Sequence, residues 1–230
     1  MPNDQAVFNA LLRQDFSFFL AKAFSTISGG AQLSFNWHQD AIGFELSRIM
    51  SGAETRLIIT VPPRNLKSIT VSVAWVAYLL GLDPTLQIVC VSYSSELSKK
   101  HARDCRAILQ SSWYQRTFPN TRLKQGNNGE MDFQTTAGGG RLSTSVEGTL
   151  TGRGGDIIII DDPIKPDEAM SETQRNRVDR LDVPDVPVRT LADRLDRRLG
   201  GAHQLADLTV AQFRVKLHQP QDRRRTILTL

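Results

Sequence analysis

One segment of the chain combines the groups needed to bind a phosphate. An apolar, strand-like run ends at Val61, and after a short turn Lys67 and Ser68 open an amphipathic segment with helical spacing. Backbone N–H groups at such a helix start can surround phosphate oxygens, while lysine neutralises their charge and serine reaches Mg²⁺. Val61 and Leu66 stand at the glycine positions of the pattern GxxxxGK[ST]. An ordinary helix start therefore stays open as the alternative for this segment taken alone.

A second segment supplies carboxylates. Residues 157–160 are four consecutive isoleucines, followed by Asp161 and Asp162. In phosphate-loop ATPases the first acid after such a strand holds Mg²⁺, and the second polarises the attacking water. Two adjacent carboxylates repel each other, which favours a nearby cation. The alternative is a solvated loop at a strand end, but the two segments in this order together favour a nucleotide site.

The surrounding pattern predicts an α/β fold. Buried strands are expected at 56–61, 87–92 and 156–160, and amphipathic helices at 37–50, 67–80 and 95–109, with Gly81 ending the second. Residues 131–136 and 141–146 read as a hairpin or as neighbouring strands. The alternation of strands and helices predicts a mainly parallel sheet with helices on both faces.

Composition narrows the class of protein. A chain of 230 residues holds one α/β domain with some additional material, and its net charge of +4 is compatible with nucleic-acid contact. The two cysteines, Cys90 and Cys105, have no metal-ligand spacing and are expected to be buried thiols in a reducing compartment. No apolar stretch approaches the roughly 18 residues of a membrane span, so a cytoplasmic protein is predicted.

Three stretches together carry a resemblance to a known family. Residues 56–70, 88–94 and 152–166 are similar to the ATPase half of the large subunit of tailed-phage terminases, the DNA-packaging motors of phages and prophages. The similarity extends over about Phe35 to Val178. It implies a P-loop NTPase fold of the ASCE type, left incomplete here, whose Walker A loop departs from the glycine-rich pattern as is frequent in that family.

The resemblance also implies roles for individual residues. The nucleotide-binding loop would comprise Arg64, Asn65, Leu66, Lys67, Ser68 and Ile69. Within it, Lys67 and Ser68 would bind the phosphates and Mg²⁺, Arg64 would face the γ-phosphate, and Asn65 is expected to supply left-handed backbone dihedrals. Asp161 would be the Walker B metal acid. Asp162 takes the place of the catalytic glutamate, and its shorter side chain predicts slow intrinsic hydrolysis.

Two further residues are weaker candidates. Gln39 lies where related motors use a glutamine to read adenine, although a polar helix surface explains it equally well. Arg153, in a glycine-rich segment, is a candidate arginine finger acting on a neighbouring subunit, with a structural or DNA-contacting role as the alternative. A basic face formed by Lys99, Lys100, His101, Arg103 and Arg106 could touch the DNA backbone, but a solvated helix face is the better interpretation.

The implied cofactors are ATP and Mg²⁺, and the implied partners are double-stranded DNA, a portal protein, a small terminase subunit and other copies in a homo-oligomeric ring. No membrane partner is expected, and the implied location is the cytoplasm of a bacterial host.

Three segments are predicted along the chain. They are an N-terminal helical segment (1–34), the terminase-like ATPase domain (35–178) and a divergent tail (179–230) that is irregular, frameshifted or disordered. The nuclease domain of complete family members is expected to be absent. Two alternatives to an active motor ATPase remain, namely an inactive truncated prophage remnant that at most binds nucleotide, DNA or a partner, and another helicase-like P-loop ATPase.

Overall fold

The computed structural model describes residues 4–54, 56–126, 129–146, 155–164, 168, 170–173 and 176, and the backbone of residues 226–229. Its helices are α1 (Asp4–Gln14), α2 (Phe16–Ile27), α3 (Trp37–Met50), α4 (Val76–Leu82), α5 (Ser95–Gln110) and α6 (Ser112–Thr117), and residues Ile69–Trp75 form a π-helical segment, the π segment, directly before α4. Its strands are β1 (Arg56–Ile58), β2 (Gln87–Ser92), β3 (Asp132–Gln134), β4 (Gly140–Ser145), β5 (Ile157–Asp161) and β6 (Thr226–Thr229).

The six strands form one mixed sheet in the order β1-β6-β5-β2-β4-β3. All neighbouring pairs are parallel except β3 and β4, which are antiparallel. The prediction of a mainly parallel sheet is therefore confirmed. The prediction that residues 131–136 and 141–146 form a hairpin or neighbouring strands is also confirmed. The prediction that the tail is irregular is wrong at its end, because β6 lies between β1 and β5. Sequence reasoning missed β6 because a four-residue strand carries little periodic signal of its own.

The N-terminal helical segment consists of two helices that join the main core. Asp15 separates them, and its carboxylate accepts hydrogen bonds from the backbone N–H groups of Ser17 and Phe18 at the start of α2. Phe19 of α2 is fully buried and lies within 5.5 Å, centroid to centroid, of both Tyr78 and Trp113. No helix in the described part of the chain is long and apolar enough to cross a membrane.

Alternate residues of the strands divide the apolar core between the two faces of the sheet. Ile88, Ile157 and Ile159 belong to the main cluster, which also contains the buried residues of the helices. Val89 and Ile158 point to the other face and belong to a smaller cluster. The buried members of that second cluster come from strands alone within the described ranges, so the helices described here cover one face, whereas a helical layer on both faces was predicted.

The chain that follows the candidate phosphate-binding turn is helical from Lys67 to Leu82, two residues beyond the predicted end. Gly81 does not end α4, as the sequence suggested, but lies inside it. A Cβ atom at Gly81 would come within 2.8 Å of the ring of Phe118, which is itself buried. Close packing against that ring, rather than helix termination, therefore accounts for a glycine at this position.

Candidate functional site

The loop between β1 and the π segment has an unusual backbone. Arg64 and Leu66 have positive φ angles of 67° and 60°, a conformation that costs non-glycine residues roughly 1–2 kcal/mol. The expectation that Asn65 would supply the left-handed dihedral is wrong, since both of its neighbours do so instead. The Asn65 side-chain amide donates to the carbonyl oxygens of Pro62 at 2.9 Å and Pro63 at 3.3 Å, which ties the turn together.

Leu66 stands at the position of the second glycine in the pattern GxxxxGK[ST], and it adopts the left-handed backbone that glycine adopts easily. Its carbonyl oxygen accepts the Thr70 N–H at 2.8 Å, so the helical hydrogen bonds begin there. The backbone of the loop thus takes a left-handed conformation at the glycine position without the glycine itself.

The acid at the end of β5 meets this loop. Asp161 is 1% exposed, and its Oδ1 accepts a hydrogen bond from Ser68 Oγ at 3.0 Å. Its Oδ2 accepts a second one from Ser72 Oγ, also at 3.0 Å. Burial raises the pKa of Asp161 above its ordinary value, while the hydrogen bonds from the two serines oppose that rise. The carboxylate is therefore desolvated and held by neutral donors, an arrangement that favours the arrival of a cation.

The second acid pairs with the lysine of the loop. Lys67 Nζ lies 2.7 Å from Asp162 Oδ1, across 95 positions of sequence. The lysine side chain is 16% exposed and that of the aspartate 50%. Asp162 has a φ of 45°, and its carbonyl oxygen accepts the Tyr93 N–H at 3.1 Å, which anchors it beside the end of β2. The two predicted halves of the site are thus in direct contact.

Behind Asp161 lies a layer of buried polar groups. His101 Nδ1 is 3.6 Å from Asp161 Oδ2 and has no hydrogen-bond partner. Burial, together with the charge of Arg141 and Lys100, lowers the pKa of His101 to about 4, so the imidazole is neutral at neutral pH. Arg141 is 1% exposed, and its Nε donates to Cys90 Sγ at 3.3 Å. The prediction that the cysteines are buried thiols is confirmed, and burial raises the pKa of Cys105 to about 12.

The remaining candidates lie in several places. Arg64 is exposed on the loop, and Ile69 begins the π segment. Gln39 is 4% exposed, and its side-chain oxygen accepts the backbone N–H of Asn36 at 2.8 Å as part of a capping box on α3. That bond engages the oxygen of the side-chain amide proposed to read adenine. Arg153 lies outside the described residues.

The basic residues of the predicted α5 face contact other side chains in the described structure. The ion pairs of α5 are Lys99 with Glu130 at 3.8 Å, Arg103 with Glu130 at 3.7 Å, and Lys100 with Asp104 at 2.8 Å. His101 is buried against Asp161, and the Arg106 guanidinium lies 5.3 Å from the centre of the Phe133 ring. In these ion pairs three cations share two acids, so the contacts offset only part of the positive charge of this face.

Sequence reasoning missed two residues of the site. Ser72 follows Ser68 by four positions and so faces the same side of the helix, a spacing that could have indicated a second hydroxyl. His101 was grouped with the basic residues of α5. Its neighbours at the same helical face, Ala102, Cys105 and Ile108, are apolar or small and buried, which is the signal that His101 points inward.

The oxygen donors fit Mg²⁺ delivered with a nucleotide. No group of three or more His, Cys, Asp or Glu side chains able to hold a metal occurs within the described ranges. Mg²⁺ in nucleotide sites uses one or two carboxylates, a hydroxyl and phosphate oxygens rather than a complete protein cage. One hydroxyl (Ser68) and one carboxylate (Asp161) in contact meet that requirement.

No family model matches the chain, and no curated protein matches it at a significant level.

Proposed function

We propose that the protein is a P-loop ATPase domain of the terminase large-subunit type, which couples ATP hydrolysis to the movement of double-stranded DNA into a phage procapsid. The observation that carries the ATPase part is the contact between the Lys67-Ser68 loop and the two acids that end β5, at 2.7 and 3.0 Å. The sequence resemblance supports the packaging role.

The sheet supports this proposal by its geometry. β1, which leads into the loop, and β5, which ends in the acids, are both parallel to β6 between them. Their carboxyl ends therefore open at the same edge of the sheet, where α/β folds bind their ligands. The left-handed residues Arg64 and Leu66 and the helical start at Lys67 would turn backbone N–H groups toward the phosphates.

Each side chain then has a distinct task. Lys67 would neutralise phosphate charge, and Ser68 and Asp161 would hold Mg²⁺, which would supply positive charge beside the transferred phosphoryl group. Asp162 orients and deprotonates the attacking water. In the structure Asp162 is paired with Lys67, so binding of the phosphates would draw Lys67 away and release the carboxylate for its catalytic role.

The proposed packaging role requires other proteins. The domain would act in the cytoplasm of a bacterial host, in a homo-oligomeric ring with a portal protein and a small terminase subunit. Arg153 of one copy would complete the site of the next, a contribution worth several orders of magnitude in rate where arginine fingers operate.

The test is a Mg²⁺-dependent ATP hydrolysis assay with and without double-stranded DNA. We expect measurable turnover in the wild type, stimulated by the duplex, and a loss of at least about 100-fold in Lys67→Ala, Asp161→Ala and Asp162→Asn. Lys99→Ala is the matched control, because Lys99 is a half-exposed lysine of α5 paired with Glu130 and outside the site.

Equal background activity in the wild type and the three site variants would contradict the enzyme proposal and favour the inactive prophage remnant. Stimulation by single-stranded rather than double-stranded DNA would instead favour a helicase-like ATPase. Loss of activity in Lys99→Ala as large as in Lys67→Ala would show that the assay reports stability rather than the site.

A further inference from the structure

Both oxygens of the Asp161 carboxylate are hydrogen-bonded, and the two donors differ in their relation to the loop. Ser68 belongs to the Lys-Ser pair of the phosphate-binding segment. Ser72 lies one helical turn further on, inside the π segment, and is 1% exposed. The second donor is therefore too deeply buried to reach a nucleotide and acts only on the aspartate.

The surroundings of Ser72 leave its hydroxyl few other partners. Val71 and Val73, its neighbours in the chain, are fully buried in the main apolar cluster. A hydroxyl transferred to such surroundings without a partner is costly, and the Asp161 Oδ2 atom 3.0 Å away satisfies it. A π-helical turn is rare and occurs frequently at functional sites, and here it carries the residue that reaches the acid.

A carboxylate held by one hydrogen bond can still rotate about its Cβ–Cγ bond, because that torsion has a broad energy minimum. The two oxygens move together as one rigid group about that bond, so the hydrogen bond from Ser68 to Oδ1 is a single restraint on the rotation. The hydrogen bond from Ser72 to Oδ2 is a second restraint on the same rotation, applied from the opposite oxygen. His101, 3.6 Å from Oδ2 and therefore beyond hydrogen-bonding distance, limits the space on the side of α5.

We infer that Ser72 is a positioning residue for Asp161, which holds the carboxylate in one orientation so that the face beside Ser68 is ready to receive a divalent cation. The inference rests on the proposed function in so far as the cation is Mg²⁺ bound with ATP. Partners of metal ligands that do not touch the metal typically contribute 10–100-fold to metal affinity, which sets the size of the expected effect.

The experiment compares Ser72→Ala with Ser98→Ala. Ser98 is the matched control because it is 2% exposed and donates its hydroxyl to the Thr144 carbonyl oxygen at 2.9 Å, away from Asp161. Crystal structures of the nucleotide-free wild type and both variants give the orientation of the Asp161 carboxylate. Titrations with a fluorescent ATP analogue, with and without Mg²⁺, give the gain in nucleotide affinity that Mg²⁺ provides.

In Ser72→Ala we expect the carboxylate to rotate away from its wild-type plane and the Mg²⁺-dependent gain to fall about tenfold, with Mg²⁺-free affinity unchanged within about twofold. Ser98→Ala is expected to keep the wild-type carboxylate orientation and the wild-type gain. An unmoved carboxylate in Ser72→Ala overturns the inference, as does an unchanged gain in nucleotide affinity when the wild type shows such a gain.

A wild-type protein whose nucleotide affinity does not increase with Mg²⁺ would refute the proposed function. The crystallographic comparison then decides the role of Ser72 by itself, since rotation of Asp161 in Ser72→Ala supports positioning and a fixed carboxylate contradicts it.

Discussion

Leu66 holds a backbone conformation that a bulky side chain rarely adopts, and it does so next to the lysine of the candidate site. Strain of this kind persists only where surrounding contacts impose it, and it concentrates at functional sites. Here the helical hydrogen bonds starting at Leu66 and the side-chain bonds of Asn65 hold the turn.

Replacing Leu66 tests this strain. Leu66→Gly removes a left-handed penalty of about 1–2 kcal/mol and adds a glycine entropy cost of about 0.5–1 kcal/mol, whereas Leu66→Ala keeps the penalty. We expect the glycine variant to be more stable than the alanine variant by about 1 kcal/mol in urea unfolding. An alanine variant more stable than the glycine variant, which is the usual result at ordinary backbone angles, would show that the backbone at residue 66 is not left-handed.

His101 predicts a pH dependence of stability. An unfolded histidine takes up a proton near pH 6.5, but the folded His101 does so only near pH 4, because burial and the charges of Arg141 and Lys100 oppose it. Between these two pH values the unfolded state binds more protons than the folded state. The contribution of His101 to the free energy of unfolding is therefore fully present above pH 6.5 and is lost as the pH falls toward 4.

The wild type should lose up to about 3 kcal/mol more than His101→Gln between pH 7 and pH 4, measured by urea unfolding without nucleotide. Comparing the two proteins at pH 8 removes any constant difference in packing. Parallel stability profiles of the two proteins from pH 8 to 4 would rule out this role for His101.

At the scale of helices and strands, Gly81 and Gly43 are two helical glycines in different surroundings. A Cβ at Gly81 would lie 2.8 Å from the Phe118 ring, whereas one at Gly43 would meet its nearest atom, Phe16 Cδ1, at 3.7 Å. The first distance is a clash, and the second is ordinary van der Waals contact.

We therefore expect replacement by alanine to change the free energy of unfolding in opposite directions at the two glycines. Gly81→Ala should destabilise the protein by about 1–3 kcal/mol through overpacking against Phe118. Gly43→Ala should stabilise it by up to about 1 kcal/mol, because alanine is the better helix former. Thermal and urea unfolding of both variants measure this, and equal stabilisation would mean that α4 and Phe118 are further apart than described.

At the scale of the whole molecule, β6 joins the two parts of the site. It lies between β1, which leads into the candidate phosphate-binding loop, and β5, which carries the acids. Ile227 pairs with Arg56 on one side and with Ile158 on the other. The extreme C-terminal part of the chain thus supports a site built from residues far earlier in the sequence.

Ile227→Pro removes a backbone donor from the middle of this sheet and should destabilise the protein by about 3 kcal/mol or more. Ile227→Val keeps the donor and serves as the control for the side chain. Hydrogen exchange should show lost protection in both β1 and β5 of the proline variant. Unchanged protection in the two strands would place β6 outside the sheet.

The local pattern by itself determined the Lys67-Ser68 loop start, the Asp161-Asp162 strand end and the mainly parallel α/β arrangement. Each of these depends on a contiguous run of residues, such as four isoleucines before two acids, whose periodicity or composition is visible without knowledge of the fold.

The tertiary structure alone decided which groups meet. Lys67 pairs with Asp162 while Ser72 joins Ser68 on Asp161, and Leu66 rather than Asn65 takes the left-handed backbone. β6 belongs to the sheet because its backbone pairs with β1 on one side and β5 on the other, although its four residues carry little periodic signal in the sequence. Contacts between residues distant in sequence, and the burial that strengthens them, are properties of the packed chain and not of any one segment.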